Sequence, residues 1–214
     1  MDGKTTKEKS PPILQTPRNT VQRLSRRASY DREVVNAILD DAYTAVISAT
    51  VEGGVRAQPI YFWRIGDELY VHGSRRNALF NALMDGQEAC LTVTLLDGLV
   101  MARSAFHHSM NYRSVVIYAH ARAVTDEAER MEALKQSVER IEAGRWAQIR
   151  RPSEAEMRGT MILAFPIAEA SAKARHGGPV DDPEDYDLPV WAGVLPCKIA
   201  FSDPIEDTNT QPPD

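Results

Sequence analysis

The chain has 214 residues, 25 Lys and Arg against 30 Asp and Glu, a net charge of −5 and 43% apolar residues. That apolar content suits a globular domain with a real core, and the acidic balance argues against nonspecific nucleic-acid binding through bulk charge. No apolar run approaches the ~18 residues needed to span a bilayer, and the polar N-terminus lacks the apolar region of a signal peptide.

Residues 1–28 are rich in Lys, Thr, Pro, Ser and Arg and read as a basic, disordered arm. Asp31 then suits the N-cap of a short helix whose Val34, Val35, Ile38 and Leu39 form an apolar stripe. Strand-like segments follow at 44–51, 55–64, 67–72, 88–96, 99–105 and 112–124, rich in Val, Ile, Thr and aromatic residues. Gly53-Gly54 and Asp97-Gly98 read as hairpin turns, because glycine accepts the positive φ that such turns require. A second helix is expected over about 126–143, capped by Thr125, with Met131, Leu134, Val138 and Ile141 on one face. Ser153 and Glu156 have capping-box spacing ahead of a short helical turn. Thr160–Pro166 and Ala168–Ala174 read as closing strands, and residues 203–214 as a flexible tail. Many strands, short loops and few helices predict a mainly β fold, a β-barrel or sandwich with flanking helices. The folded domain is expected over 29–202.

Cys90 and Cys197 have no Cys-x-x-Cys spacing, so neither a zinc knuckle nor a dithiol redox motif is supported. A reducing, cytoplasmic setting fits them. Adjacent histidines on a strand point to opposite faces, so His107 and His108 are not expected to bind one metal ion together. No metal site is expected. No Walker A, G-x-G-x-x-G or nucleophile-elbow motif occurs.

The most informative stretch is Tyr70-Val71-His72-Gly73-Ser74-Arg75-Arg76-Asn77. It reads as a strand end turning into a helix, with Ser74 as the N-cap and two arginines in the first turn. Cations are disfavoured at that end of a helix. A serine hydroxyl, free backbone N–H groups and two guanidinium groups would suit a bound phosphate. A solvated turn with exposed arginines is the plainer reading. The run His107-His108-Ser109-Met110-Asn111-Tyr112-Arg113-Ser114 offers more hydrogen-bonding capacity than a hairpin loop needs. It suits a ligand pocket, a subunit interface or a self-satisfied connection. Trp191, flanked by small and apolar residues, suits either the core or a lid on a planar ligand.

In order and spacing, these residues resemble the FMN-binding split-barrel superfamily, which includes pyridoxamine 5′-phosphate oxidase. The nearer branch is similar to the nitroimidazole-reductase-related flavoproteins. The resemblance covers roughly 29–200 and rests on Arg56-Ala57-Gln58-Pro59-Ile60-Tyr61-Phe62, Leu69-Tyr70-Val71-His72-Gly73-Ser74, the His-His-Ser-Met-Asn-Tyr-Arg-Ser loop and the Trp-Ala-Gly-Val-Leu-Pro close.

The resemblance implies a split β-barrel that binds FMN at the interface of a homodimer. Gly73, Ser74, Arg75 and Arg76 would hold the phosphate. Gln58, Pro59, Ile60 and Tyr61 would pass along the flavin edge, with Val71 and His72 on the adjacent strand. Ser109, Asn111, Tyr112 and Arg113 would come from the partner chain, and Trp191 would pack near the ring. His72 would position substrate or donate a proton, since imidazole titrates near neutral pH. The implied activity moves electrons from NADH or NADPH through FMN to a small electron-poor acceptor. Arg175-His176 is only a faint echo of the vitamin B6 substrate element, so a true pyridoxamine phosphate oxidase is not expected. The alternatives are a non-catalytic flavin-binding module and a haem-binding split barrel with His107, His108 or His176 as the axial ligand.

Overall fold

A computed structural model describes residues 12–208, in two compact units. Within the described residues the first unit comprises 12–95 and 112–176, and the second comprises 96–111 and 177–208.

The chain runs β1 (Ala28–Ser29), α1 (Arg32–Asp41), β2 (Thr44–Val51), β3 (Gly54–Tyr61), β4 (Trp63–Ile65) and β5 (Glu68–Ser74). It continues with α2 (Ala78–Met84), β6 (Glu88–Met101), β7 (Ser109–His120), β8 (Arg122–Ala123), α3 (Glu127–Ile141) and α4 (Arg145–Gln148). It closes with α5 (Glu154–Gly159), β9 (Thr160–Pro166), β10 (Glu169–Arg175) and β11 (Gly193–Pro196). The strands form two antiparallel sheets, ordered β1-β10-β7-β6-β2-β3 and β4-β5-β9-β8. The chain passes from the first sheet to the second at Phe62, between β3 and β4. The fold is mainly β with flanking helices, as the sequence predicts, and it is a split barrel whose sheets do not close into one ring.

Strand alternation in the first unit builds two apolar clusters. Ile47, Leu91, Val71, Leu163 and Phe165 join Val35, Leu39 and Phe80 from the helices in the larger one. Trp63, Tyr70, Ile162 and Ala164 meet Ala133 of α3 in the smaller one. Asp31 caps α1 by accepting from the Glu33 N–H, and Ser153 and Glu156 form the expected capping box on α5. In α1, Val34 falls outside the buried stripe of Val35, Ile38 and Leu39. In α3 the cap is Asp126 rather than Thr125, and the buried positions are Ala133 and Ser137. Ile141 is exposed there.

The expected disordered arm over 1–28 needs correction where it is described; residues 1–11 lie outside the described residues. Ile13 is in the core, and the Leu14 N–H donates to the Ala168 carbonyl at 2.7 Å. The buried Asn19 amide donates to the carbonyls of Leu14 and Ala170. Arg18 bridges Glu88 and Glu169, and its hydrogen bonds outweigh the opposing effect of burial and, with one from Thr16, hold the Glu169 carboxyl down to about 2. Composition missed this segment because one apolar side chain and a few polar contacts anchor it. Residues 203–208 carry no helix or strand, and 209–214 lie outside the described residues.

Asp97-Gly98 is not a hairpin turn, because β6 runs unbroken through it. In the second unit β11 pairs with the end of β6, Pro196 opposite Gly98 and Gly193 opposite Met101. A Cβ at Gly98 would stand 2.9 Å from Val194 Cγ1 and 3.0 Å from the Leu195 carbonyl oxygen. This glycine serves close approach, not a reversal of the chain.

Candidate functional site

Residues on β5 alternate between the two clusters of the first unit. Leu69 and Val71 are fully buried in the larger one, whereas Tyr70 belongs to the smaller one. The Val71 side chain is therefore not available to a ligand, and its neighbour His72 faces the other way. At Gly73 an added Cβ would lie 2.9 Å from the Phe80 ring, so glycine lets α2 pack closely on the strand.

Beyond Gly73 the chain makes a turn before it makes a helix. The Ser74 carbonyl accepts from the Asn77 N–H at 3.0 Å, and Ser74 Oγ accepts from the Arg76 N–H at 3.1 Å. The helix cap is Asn77, whose side-chain oxygen accepts from the N–H groups of Leu79 and Phe80. The expected Ser74 cap is thus displaced by three residues, because asparagine caps as well as serine and lies next to the apolar stretch. Arg75 and Arg76 precede α2 rather than sit in its first turn. Both are exposed, and among the described residues neither guanidinium has an ion-pair partner. The backbone is fixed beneath them, since the Arg75 N–H donates to the Gly159 carbonyl at 3.3 Å.

Gln58, Pro59, Ile60 and Tyr61 lie on β3, which ends the sheet order and pairs on one side with β2. An edge strand leaves backbone groups unpaired on its outer side, and proline is tolerated there. Gln58 Oε1 accepts from Asn77 Nδ2 at 2.9 Å, which ties this edge to the start of α2. The Tyr61 hydroxyl donates to the Ser137 carbonyl at 2.8 Å, and burial raises its pKa.

His72 lines a cavity of about 420 Å³ whose other walls include Leu134, Val138, Trp146, Ile149 and Met157. Its ring is open to this cavity, yet the crowding around it lowers the imidazole pKa from its ordinary value. The ring lies 5.7 Å from that of Trp63, and neither ring nitrogen has a hydrogen-bond partner among the described residues. Trp63 is itself buried, with no acceptor for its indole N–H among the described residues. At the cavity rim Arg150 makes a two-point pair with Glu156 at 2.8 and 2.6 Å. Arg150 and the Ser153 N–H bring the Glu156 carboxyl down to about 2. Sequence reading missed Trp63 on β4, and it missed Trp146, Arg150 and Met157, since nothing local marks residues of α4, α5 and the segment between them that reach a strand from far along the chain.

The remaining candidates divide between the units. Tyr112 and Arg113 belong to the first, where Tyr112 sits opposite Arg175 in the β7–β10 ladder and Arg113 pairs with Asp41. Ser109, Asn111 and Trp191 belong to the second. Ser109 is exposed, and Asn111 Nδ2 donates to the Gly177 carbonyl at 3.1 Å. Trp191 is 61% exposed, which removes the core reading, and its ring would meet a Cβ on Gly193 at 2.9 Å. His107 Nδ1 and His108 Nδ1 hydrogen-bond to Ser104, through its hydroxyl and its carbonyl respectively. His176 is exposed, and Cys90 and Cys197 are free thiols. No described helix is long and apolar enough to cross a membrane.

Residues 31–174 match the family model described as pyridoxamine 5′-phosphate oxidase. A search of curated proteins finds no match. Among solved structures, a flavocytochrome from Azotobacter vinelandii is 41% identical, over 94% of each chain, with a TM-score of 0.89. An FAD and heme binding protein from Mycobacterium smegmatis is 34% identical over 86% of this chain and 91% of its own, with a TM-score of 0.82. A candidate 5-nitroimidazole antibiotic resistance protein from Bacteroides thetaiotaomicron shares the fold at 19% identity, over 69% of this chain and 86% of its own, with a TM-score of 0.58. Together with the split barrel and the Ser74–Arg76 turn, these likenesses establish that the chain belongs to the pyridoxamine 5′-phosphate oxidase family of flavin-binding proteins.

Proposed function

We propose that this protein is a flavin-dependent redox protein that also binds haem and acts as a homodimer. One observation carries the reading. β5 presents His72 to an apolar cavity of about 420 Å³ and ends two residues later in an exposed Ser-Arg-Arg turn. One strand end thus joins a slot for a haem ring to a cradle for the phosphate of a flavin.

The residues fit both groups. Two guanidinium groups and the Ser74 hydroxyl are a donor set for phosphate, and arginine favours two-point contact with it. The outer edge of β3 at Gln58–Tyr61 offers backbone groups to a ring edge. FAD is the flavin we assign, by likeness to the 34% identical mycobacterial protein. FMN, which the sequence resemblance implies, fits the same cradle. Bound flavin supplies hydride acceptance, and the chain supplies binding, orientation and exclusion of water. NADH or NADPH as donor and a small electron-poor acceptor complete the activity we assign.

For haem, the observation in favour is His72. Its imidazole is held toward the neutral form, which ligates metals, and its ring nitrogens are uncommitted. Leu134, Val138, Trp146 and Met157 would pack a porphyrin face, and Arg150 at the rim would meet a propionate. In this reading His72 would hold the haem iron. Proton donation to a substrate is the second reading, favoured by the same free ring nitrogens. Exposed apolar side chains in the second unit, among them Phe106 at 91% and Val180 at 72%, support burial against a second copy. A cytoplasmic setting suits the free thiols.

The test is the visible spectrum of the purified protein, with chromatography of the flavin released on denaturation. Flavin bands, released FAD and a Soret band are expected, and His72→Ala should lose the Soret band while keeping the flavin. Released FMN would replace FAD in the assignment. A protein that neither contains flavin nor responds to added FAD or FMN would overturn the reading.

A further inference from the structure

We propose that His107, Asp181 and Asp185, in the second unit, form a site for a divalent transition-metal ion. The ligating atoms of these three side chains lie within 4.8 Å of one another. Donors around one ion at ~2.1 Å sit roughly 3–4 Å apart, so a small side-chain adjustment closes the set. One imidazole and two carboxylates suit a first-row dication such as Mn²⁺ or Zn²⁺, with the open positions left to water.

Neighbouring groups already hold two of the ligands in place. Ser104 Oγ engages His107 Nδ1 at 2.8 Å, which fixes the ring and leaves Nε2 as the ligand atom. Nε2 stands 3.9 Å from Asp182 Oδ1, so the free side of the ring already faces carboxylates. The Asp181 carboxylate is fully buried. The backbone N–H and guanidinium of Arg103 donate to its two oxygens at 2.9 and 3.0 Å and fix it in place. His108 is not part of the site; its Nδ1 is taken by the Ser104 carbonyl at 2.9 Å.

Two observations apart from the ligand spacing favour a cation. The Asp185 carboxylate is half-buried and has no hydrogen-bond or ion-pair partner among the described residues. A carboxylate in that position, beside a buried ionised one, carries a repulsive cost that a bound cation removes. The segment also holds Asp182, Glu184 and Asp187, against the single guanidinium of Arg103 in this cluster.

The experiment uses the full chain with its native cofactors, after treatment with a chelator. Mn²⁺ is titrated in, with the loss of the free-ion electron paramagnetic resonance signal as the readout, and Zn²⁺ is titrated by calorimetry. One ion per chain with micromolar affinity is expected. Asp185→Asn and His107→Gln should each weaken it at least tenfold, and Ser104→Ala should weaken it less. Asp187→Asn, outside the ligand set, should leave affinity unchanged. Flavin absorbance and circular dichroism check that the variants are folded. No saturable binding at 100 μM metal would overturn the site. So would binding that survives both Asp185→Asn and His107→Gln, or weak binding of Ca²⁺ alone, because each marks an acidic surface without a built ligand set.

Discussion

Asn77 Nδ2 donates to Gln58 Oε1 at 2.9 Å while Asn77 Oδ1 accepts from the Leu79 and Phe80 N–H groups. One side chain therefore caps α2 and fastens it to the edge strand β3. The Ser74–Arg76 turn ends at this residue, so its position is set from both sides. Asn77→Ala removes the cap and leaves Gln58 without its partner. The expected loss is about 1–2 kcal/mol of stability, the usual cost of losing such a cap. Urea unfolding of the flavin-free protein measures it. An unchanged midpoint would show that the cap contributes nothing. Asn77→Asp, which keeps the cap acceptor but loses the donor to Gln58, should fall between the two.

Gly98→Val tests how the second unit holds its last strand. The added side chain would collide with Val194 and with the Leu195 carbonyl, and the latter is backbone that cannot swing aside. β11 should therefore detach from β6, at a local cost of about 1–3 kcal/mol for an overpacked contact. Amide hydrogen exchange across 193–196 should accelerate in the variant, while exchange in β9 and β5 stays slow. Unchanged protection at Val194 and Leu195 would mean that the two strands accommodate a side chain at 98.

These two positions show where sequence was legible and where it was not. Alternation and turn residues placed the antiparallel strands, because period-2 burial is written directly in β2 and in the first half of β6. Capping residues placed α1 and α5. Gly98 misled because a glycine needed for close approach looks in sequence like one needed for positive φ, and only the strand packed on it separates the cases. Ser74 misled because two good cap residues stand three apart and the turn between them is set by Arg75 and Gly159, far apart in sequence. The Ser-Arg-Arg turn and His72 were visible as a local string. The cavity around His72 was not, since α3, α4 and α5 bring Leu134, Trp146 and Met157 to it from 60 to 85 residues away.

Arg75→Ala with Arg76→Ala is the test of the phosphate cradle. Both side chains are exposed and unpaired among the described residues, so their removal should hardly change folding. Flavin affinity should fall by about 2–4 kcal/mol, roughly 30- to 1,000-fold, for the loss of charge-assisted contacts. Fluorescence titration of the flavin-free protein with FAD and with FMN reads the change, and the loss should shrink at high salt. A dissociation constant equal to that of the parent protein would place the phosphate elsewhere.

His72 should make the apo-protein sensitive to mild acid. Crowding in the cavity lowers its folded-state pKa below the unfolded value of 6.5. Between those two values the unfolded chain binds the proton and the folded chain does not. Stability therefore rises with pH across that window and is lost as pH falls from about 6.5. Above 6.5 the residue is neutral in both states and has no effect. Nearby Arg150 and Glu156 carry opposite charges and stay ionised through this range, Glu156 because its pKa is about 2, so neither contributes a step there. The ring is solvent-accessible, which keeps the effect modest. Thermal unfolding at pH 7.5, 6.5, 5.5 and 5.0 is the measurement, with His72→Gln as the non-titrating reference. The parent protein should lose more stability than the variant below pH 6.5 and match its slope above it. Parallel profiles across the whole range would show that the ring charges as easily in the cavity as in water, and the case for a neutral, ligating imidazole would lose its footing.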